Sequence, residues 1–526
     1  MKTSPRPYQE EHIGKGYKLL LECGFFALWY KPGRGKTYVV LAINELLMKN
    51  NDSDALLIIC PKNAVKVWKT QIPQHSELHS DWMIWDNLKA KTESYKRELT
   101  NYITKNEYPI FITTCESMSV YNETLVNALN LMYEKRKVFE AIDESAKFKN
   151  ANSGRTKRLI PLSNKAKFRC ILNGTPTPKS IIDIWSQMEL LKQGFWKEGP
   201  VSVFEYKYTF KVFVKAWDGN KGYPKTITRS DVMGLQGKLD SLNSESFLTD
   251  KQKGFRAKLE IEIENYTIAL NRIESKMKDV QDQIEPYSFY AERDDSMPPV
   301  IHEDPICFEL SKEEKAVYKE LKKKLTFTTE SGELKTLKNK SSLFQKFRQI
   351  TGGSYDESNQ ITDLPSKIDA MLDDIETHEE NVLVITSYRA NIRVISKHLE
   401  KIGPTATYFG DTTTEQRDKV VDDAKAGRLR FIVANSESIG LSVDGLQDSF
   451  HMMYVYDVPA PPLTWDQIIW RLDRSGQKYP VVVKYFHAEI DGKPTIDERC
   501  LMLANDHRDL QSAFENMGED EFMESV

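Results

Sequence analysis

The stretch Lys31-Pro-Gly33-Arg34-Gly35-Lys36-Thr37, running directly into the helical segment Tyr38–Lys49, decides how the chain is read. Glycines let backbone N–H groups close around phosphates, and a helix N-terminus adds partial positive charge. In such a loop Lys36 can reach the β- and γ-phosphates and Thr37 can ligate Mg²⁺. The first glycine of the full eight-residue pattern is missing, because Tyr30 stands in its place. A plain glycine turn before a helix would look much the same, so the reading depends on what accompanies it.

Roughly a hundred residues on, Val138-Phe-Glu-Ala-Ile-Asp143-Glu144 is an apolar run that ends in two adjacent carboxylates. At the end of a buried strand, Asp143 can hold the Mg²⁺ shell while Glu144 orients and deprotonates an attacking water. Near the other end, Gln467-Ile-Ile-Trp-Arg471-Leu-Asp-Arg474-Ser-Gly-Gln477 spaces two arginines three apart, which on a helix shares a face. Permanently charged, planar guanidinium groups suit a transferring γ-phosphate. Taken alone, the same pair reads as surface arginines matched with acids.

Around these residues, short apolar β-branched runs alternate with polar helical stretches, the pattern of α/β units with a parallel sheet. One set comprises Ala55–Cys60, Ile110–Thr114, Val138–Ile142 and Phe168–Leu172. A second comprises Val382–Thr386, Phe431–Ala434, Met453–Asp457 and Val481–Phe486. Between the sets the pattern breaks, and Leu259, Ile263, Tyr266, Leu270, Ile273, Met277, Val280 and Ile284 form an apolar heptad seam. That seam reads as a helix packed on a neighbour in an inserted protrusion, or as an arm that touches DNA or a partner. With 526 residues in the chain, the expected layout is a first α/β domain over 1–200, a helical insertion over 201–300 with its arm near 239–285, a second α/β domain over 301–500, and an acidic tail over 501–526 whose last stretch, Glu515–Val526, reads as mobile.

Composition limits the partners. The formal net charge is −4, so any polyanion must meet a local patch rather than a global basic field. Ser311–Arg348 is the clearest basic stretch, and runs of this kind are most often solvated helix faces and less often nucleic-acid contacts. The six cysteines are scattered, with no close pair to chelate zinc or frame disulfides, and read as reduced thiols. Gly24–Tyr30, the most apolar stretch, is far shorter than the roughly 20 residues that span a bilayer, and the expected location is a bacterial or phage-infected host cytosol.

These features in this order resemble the superfamily 2 helicases, and in detail their Swi2/Snf2-like branch of compact phage or bacterial type. Arg6-Pro-Tyr-Gln9 looks like an adenine-reading Q motif, Gly33–Thr37 like motif I, and Cys60-Pro-Lys62 through Trp68 like motif Ia. Thr113-Thr114 with Glu116-Ser117 resembles motif Ib, Asp143-Glu144-Ser145-Ala146 motif II, and Asn173-Gly174-Thr175-Pro176 motif III. Thr386-Ser387-Tyr388 looks like motif IV, Ser438-Ile-Gly440-Leu441-Ser442 motif V, and Gln467 to Gln477 motif VI. Lys346 to Gly353 and Leu364-Pro-Ser-Lys367 look like the branch's lead-in to its second motor.

The resemblance implies two RecA-like domains in tandem and an ATP-binding site that uses Gln9, Gly33, Arg34, Gly35, Lys36, Thr37, Gly440 and Gln467. It implies Mg²⁺ on Thr37 and Asp143, catalysis by Glu144, and completion of the ATP site by Arg471 and Arg474. It implies that Lys62, Thr114, Ser117, Ser387, Tyr388 and Ser438 line a nucleic-acid track. Motif II usually ends in His or Asp, and the Ala146 side chain cannot hydrogen-bond, so coupling would run through Ser145 or other groups. The expected activity is ATP-driven translocation on duplex or branched DNA, as in fork remodelling or branch migration. An RNA-stimulated helicase and a nucleotide-gated DNA clamp with incidental turnover stand as alternatives. The heptad arm would touch flanking DNA and set substrate preference.

Overall fold

The computed structural model describes residues 1–77, 82–174, 176, 181–209, 212–214, 223–225, 232, 235–236, 239–240, 242–243, 249–291, 297–324, 326–328, 334–336, 340–354, 361–410, 412–442, 445–474, 476–506, 510–515, 522 and 525–526. Thr175 and Ser475, which belong to sequence patterns named above, lie outside the described residues. The chain divides into two compact units, Met1–Val214 with Tyr223–Arg293, and Asp294–Val526.

In the first unit the strands are β1 (Phe25–Tyr30), β2 (Ala55–Cys60), β3 (Met83–Ile84), β4 (Ile110–Thr114), β5 (Val138–Asp143), β6 (Phe168–Asn173), a small antiparallel pair β7 (Val212–Val214) and β8 (Tyr223–Lys225), and β9 (Ser288–Ala291). Seven of them form one sheet in the order β3-β4-β2-β5-β6-β1-β9, with every pairing parallel. Strands β1 and β2 are buried at all six positions. Such uninterrupted apolar runs belong to a sheet covered on both faces, and they explain why no alternation marks these strands in the sequence.

Segment 201–300 is not a body of its own. Strand β9 extends the first sheet beside β1, and the 35-residue helix Asp250–Ile284 sets Val280 and Ile284 into the first unit's core. Part of the heptad seam faces protein: Leu259 and Tyr266 are buried, and Tyr266 and Ala269 pack with Val232 and Leu235, whereas Met277 is exposed. The boundary drawn at residue 200 therefore falls inside a unit, because the apolar end of the helix finishes a core begun some 250 residues earlier.

The second unit carries β10 (Val300–His302), β11 (Ile306–Glu309), the pair β12 (Thr326–Thr328) and β13 (Leu334–Thr336), β14 (Val382–Thr386), β15 (Thr405–Tyr408), β16 (Phe431–Asn435), β17 (Met452–Val455), β18 (Val481–Ile490) and β19 (Lys493–Pro494). Its main sheet runs β10-β18-β17-β14-β16-β15, and β11 and β19 also pair with β18. All pairings are parallel except β18 with β19 and β12 with β13. Two parallel α/β sheets in tandem are the fold class the sequence implies.

Two expectations for this unit change. Among the described residues of the acidic tail, Phe522 and Val526 are buried in the same core as Leu510 and Phe514. The basic stretch is not simply a solvated face. Lys340, Lys346 and Arg348 are buried, and Lys315 and Lys319 pair with Asp491 at 3.3 and 2.6 Å. Among the described residues, no helix is long and apolar enough to cross a membrane, and all six cysteines are free thiols.

Candidate nucleotide and nucleic-acid site

The glycine-rich loop connects the end of β1 to the helix Lys36–Lys49. Gly33 and Gly35 have φ of 76° and 77°, the left-handed region that glycine enters without steric cost. At Gly35 space is also decisive, because a Cβ there would run into the amide nitrogen of Gln9. Gln9 Nε2 and the Tyr8 hydroxyl both donate to the Arg34 carbonyl, at 3.1 and 2.8 Å. Gln9 Oε1 accepts the Arg6 amide at 2.9 Å. Gln9 thus braces the loop through both ends of its side-chain amide. Lys36 Nζ donates to the Tyr30 carbonyl at 3.0 Å, so the residue in place of the missing glycine supplies a backbone rest for the lysine.

Asp143 ends β5, two strands from β1, and Glu144 follows with φ 51° and ψ 52°. The Trp68 indole donates to Asp143 Oδ2 at 3.0 Å, and the Glu144 amide to Oδ1 at 3.0 Å. Burial and the neighbouring Glu144 carboxylate push the Asp143 carboxyl up to about 6, against the opposing pull of Lys36 and the Trp68 hydrogen bond. A carboxylate this costly to ionise is suited to a cation. The Asp143 carboxylate and the Thr37 hydroxyl are oxygen donors of the type Mg²⁺ takes. The two left-handed glycines, the helix start and the half-buried Lys36 fit a polyphosphate in the same way.

The other candidates sort along sheet edges. In the first unit β3, β4 and β2 lie beyond β5, so Thr114, Ser117 and Lys62 share its carboxyl edge with the dyad. Thr114 Oγ1 and Ser117 Oγ are 2.8 Å apart, and the Lys62 amide donates to Glu116 at 3.0 Å. In the second unit Ser387 and Tyr388 follow β14, while Ser438 and Gly440 lie in the helix Ser436–Ser442 after the adjacent β16. Ser387 Oγ is 3.3 Å from Ser436 Oγ, and its amide donates to Asp457 at 2.8 Å. Asp457 also accepts from Thr386 and pairs with the buried Arg348 at 3.4 Å.

Gln467 is buried in the helix Pro462–Ile469. Arg471 and Arg474 lie past that helix end in a turn, where Arg474 Nε donates to the Trp470 carbonyl at 2.8 Å. The expectation of one shared helix face is corrected accordingly: the helix stops at Ile469, and the arginines are set by the turn. Sequence reading assigned no site role to Tyr8, Trp68, Gln187 or Asp457. Tyr8 and Trp68 at least lie inside recognisable runs, whereas nothing local distinguishes Gln187 or Asp457.

Residues 28–352 match the family described as SNF2-related domain. The DNA repair and recombination protein RAD54B of Homo sapiens is 22% identical over 506 residues, covering 90% of this chain and 51% of the relative. The ATP-dependent helicase FUN30 of Saccharomyces cerevisiae is 23% identical over 210 residues, covering 38% of this chain and 17% of the relative. The chain spans no more than about half the length of these curated relatives. Among solved structures, the Sulfolobus solfataricus SWI2/SNF2 ATPase core in complex with dsDNA is 18% identical with a TM-score of 0.39, covering 100% of this chain and 97% of that one.

Proposed function

The chain belongs to the SNF2-related domain family, and from that premise we propose that it is an ATP-hydrolysing motor that acts on DNA. The observation that carries the reading is the carboxyl edge of the first sheet, where the braced glycine loop, Asp143 and Glu144, and the polar ends of β4 and β2 follow one another. In this reading Lys36 and the loop amides bind the β- and γ-phosphates, and Thr37 and Asp143 hold Mg²⁺. Mg²⁺, when bound, supplies charge neutralisation between the phosphates. Glu144 orients a water and takes its proton as that water attacks the γ-phosphorus and the bond to ADP breaks. Gln9 is offered to adenine, with Gly440 and Gln467 as further nucleotide contacts. Arg471 and Arg474 contribute guanidinium charge to the transferring phosphoryl group.

The finer reading is translocation along duplex or branched DNA in fork remodelling, branch migration or repair. The name of the human relative, a DNA repair and recombination protein, supports it. Lys62, Thr114, Ser117, Ser387, Tyr388 and Ser438 would grip the backbone without reading bases. The test is an ATPase panel with single-stranded, duplex, forked and four-way-junction DNA and with RNA, joined to triplex-strand displacement. Duplex and branched DNA are expected to stimulate most. Equal or greater stimulation by RNA overturns the choice of DNA, no stimulation overturns the motor, and tight ATP-dependent binding without strand displacement favours a clamp.

A further inference from the structure

Glu144 is held in place by groups that the hydrolysis chemistry does not itself use. A non-glycine residue in the left-handed region costs roughly 1–2 kcal/mol and persists only where its surroundings impose it. The residue after it, Ser145, is fully buried, and its hydroxyl donates to Gln187 Oε1 at 2.6 Å. Gln187 is fully buried as well. Its Nε2 donates both to the Pro176 carbonyl at 2.9 Å and to the Asp183 carbonyl at 2.8 Å. Both amide hydrogens are therefore used, and the oxygen is engaged by the catalytic turn.

The bridge has a direction. Pro176 lies beyond β6, the strand next to β5, so one side chain joins the segments that leave two neighbouring strands. It does so beside Ala146, whose side chain has no polar atom to offer. Gln187 sits in the helix Asp183–Leu191, where every residue from Ser186 to Leu191 is buried. An apolar residue would meet the packing needs of that position, and a buried amide is tolerated only when its hydrogen bonds are met.

We propose that Gln187 is a positioning residue for ATP hydrolysis: with Ser145 it fixes the left-handed turn that aims Glu144, and it ties that turn to Pro176. The inference rests on the ATPase reading of the chain. It is tested by steady-state kinetics on Gln187→Met, Ser145→Ala and the double variant, with Met188→Ala as a packing control on the same helix. Thermal unfolding and hydrogen exchange are read on each. Gln187→Met and Ser145→Ala should each lower kcat about ten-fold with KM for ATP within two-fold. The double variant should fall no further than the worse single, because the two groups form one bridge. Met188→Ala should lower the unfolding temperature and leave kcat within two-fold.

A Gln187→Met kcat within two-fold of native, a double variant showing the product of the single losses, or an equal loss in Met188→Ala each overturns the proposal. If the native chain hydrolyses no ATP, the motor reading falls and exchange decides the bridge. Faster exchange across Ser145–Phe148 in Gln187→Met upholds it, and unchanged exchange overturns it.

Discussion

At Asp143, burial and chemistry pull in opposite directions. Burial and the adjacent Glu144 raise its carboxyl to about 6, yet the Mg²⁺-holding role proposed for it requires the ionised form. Because its folded value lies above the ordinary one, between about pH 4 and 6 the folded chain keeps a proton that the unfolded chain releases. The contribution of this group to stability therefore falls as pH rises through that window. Activity has the opposite sign, so kcat/KM for ATP, which reports the free enzyme, should lose activity on an acid limb centred near pH 6. Trp68→Phe removes a hydrogen bond that favours the ionised form and should move this limb to higher pH; a folded variant with an unmoved limb would refute the account. The dyad was legible in the sequence because two carboxylates end an apolar run. Trp68 and Gln187 were not legible as partners, because their contacts span 75 and 42 residues and no local spacing records them.

The helix Asp250–Ile284 shows what a periodic pattern conveys about an element and what it leaves open. Its heptad seam established that a helix exists and which face is apolar, but not what covers that face. The covering groups are Val232 and Leu235 near the middle and the first unit's core at the end. Buried and exposed positions of the helix should accordingly differ in their response to mutation. Ile284→Ala deletes buried methyl groups and should cost about 2–4 kcal/mol in denaturant unfolding, whereas Ile268→Ser, at a position 46% exposed, should stay within about 0.5 kcal/mol. Equal effects would mean that the seam is not anchored as described. The same packing bears on the arm's suggested role with DNA, since removing residues 239–285 also removes Val280 and Ile284 from the core. The buried strands were legible for a related reason. Runs such as Ala55–Cys60 carry their apolarity in consecutive residues, whereas β9 is four residues long with only Phe289 and Ala291 buried, and it gains its place only by pairing with β1.

At the scale of the whole molecule the question is how a chain of net charge −4 engages a polyanion. Some of its cationic charge is already paired: Arg348 with Asp457 and Lys367 with Asp497 at 2.6 Å inside the second unit, and Lys315 and Lys319 with acids at its surface. Pairs as deeply buried as the first two add little to stability beyond what apolar residues would give, and removing one partner leaves an uncompensated charge. Their effect is to fix the Asp457 carboxylate that receives the Ser387 amide. Binding carried by a short track rather than by bulk charge involves few phosphates, and each neutralised phosphate contributes about 0.9 to the slope of log affinity against log salt. Lys62 is exposed at the carboxyl edge of the first sheet. Lys62→Ala should therefore raise the DNA concentration for half-maximal ATPase by a similar factor on unrelated sequences and lower the salt slope by about 1. The measurement is ATPase titrated with two duplexes of different sequence at several salt concentrations. A slope unchanged from the native chain would remove Lys62 from the track, and a loss confined to one sequence would show that bases, not phosphates, are being read there.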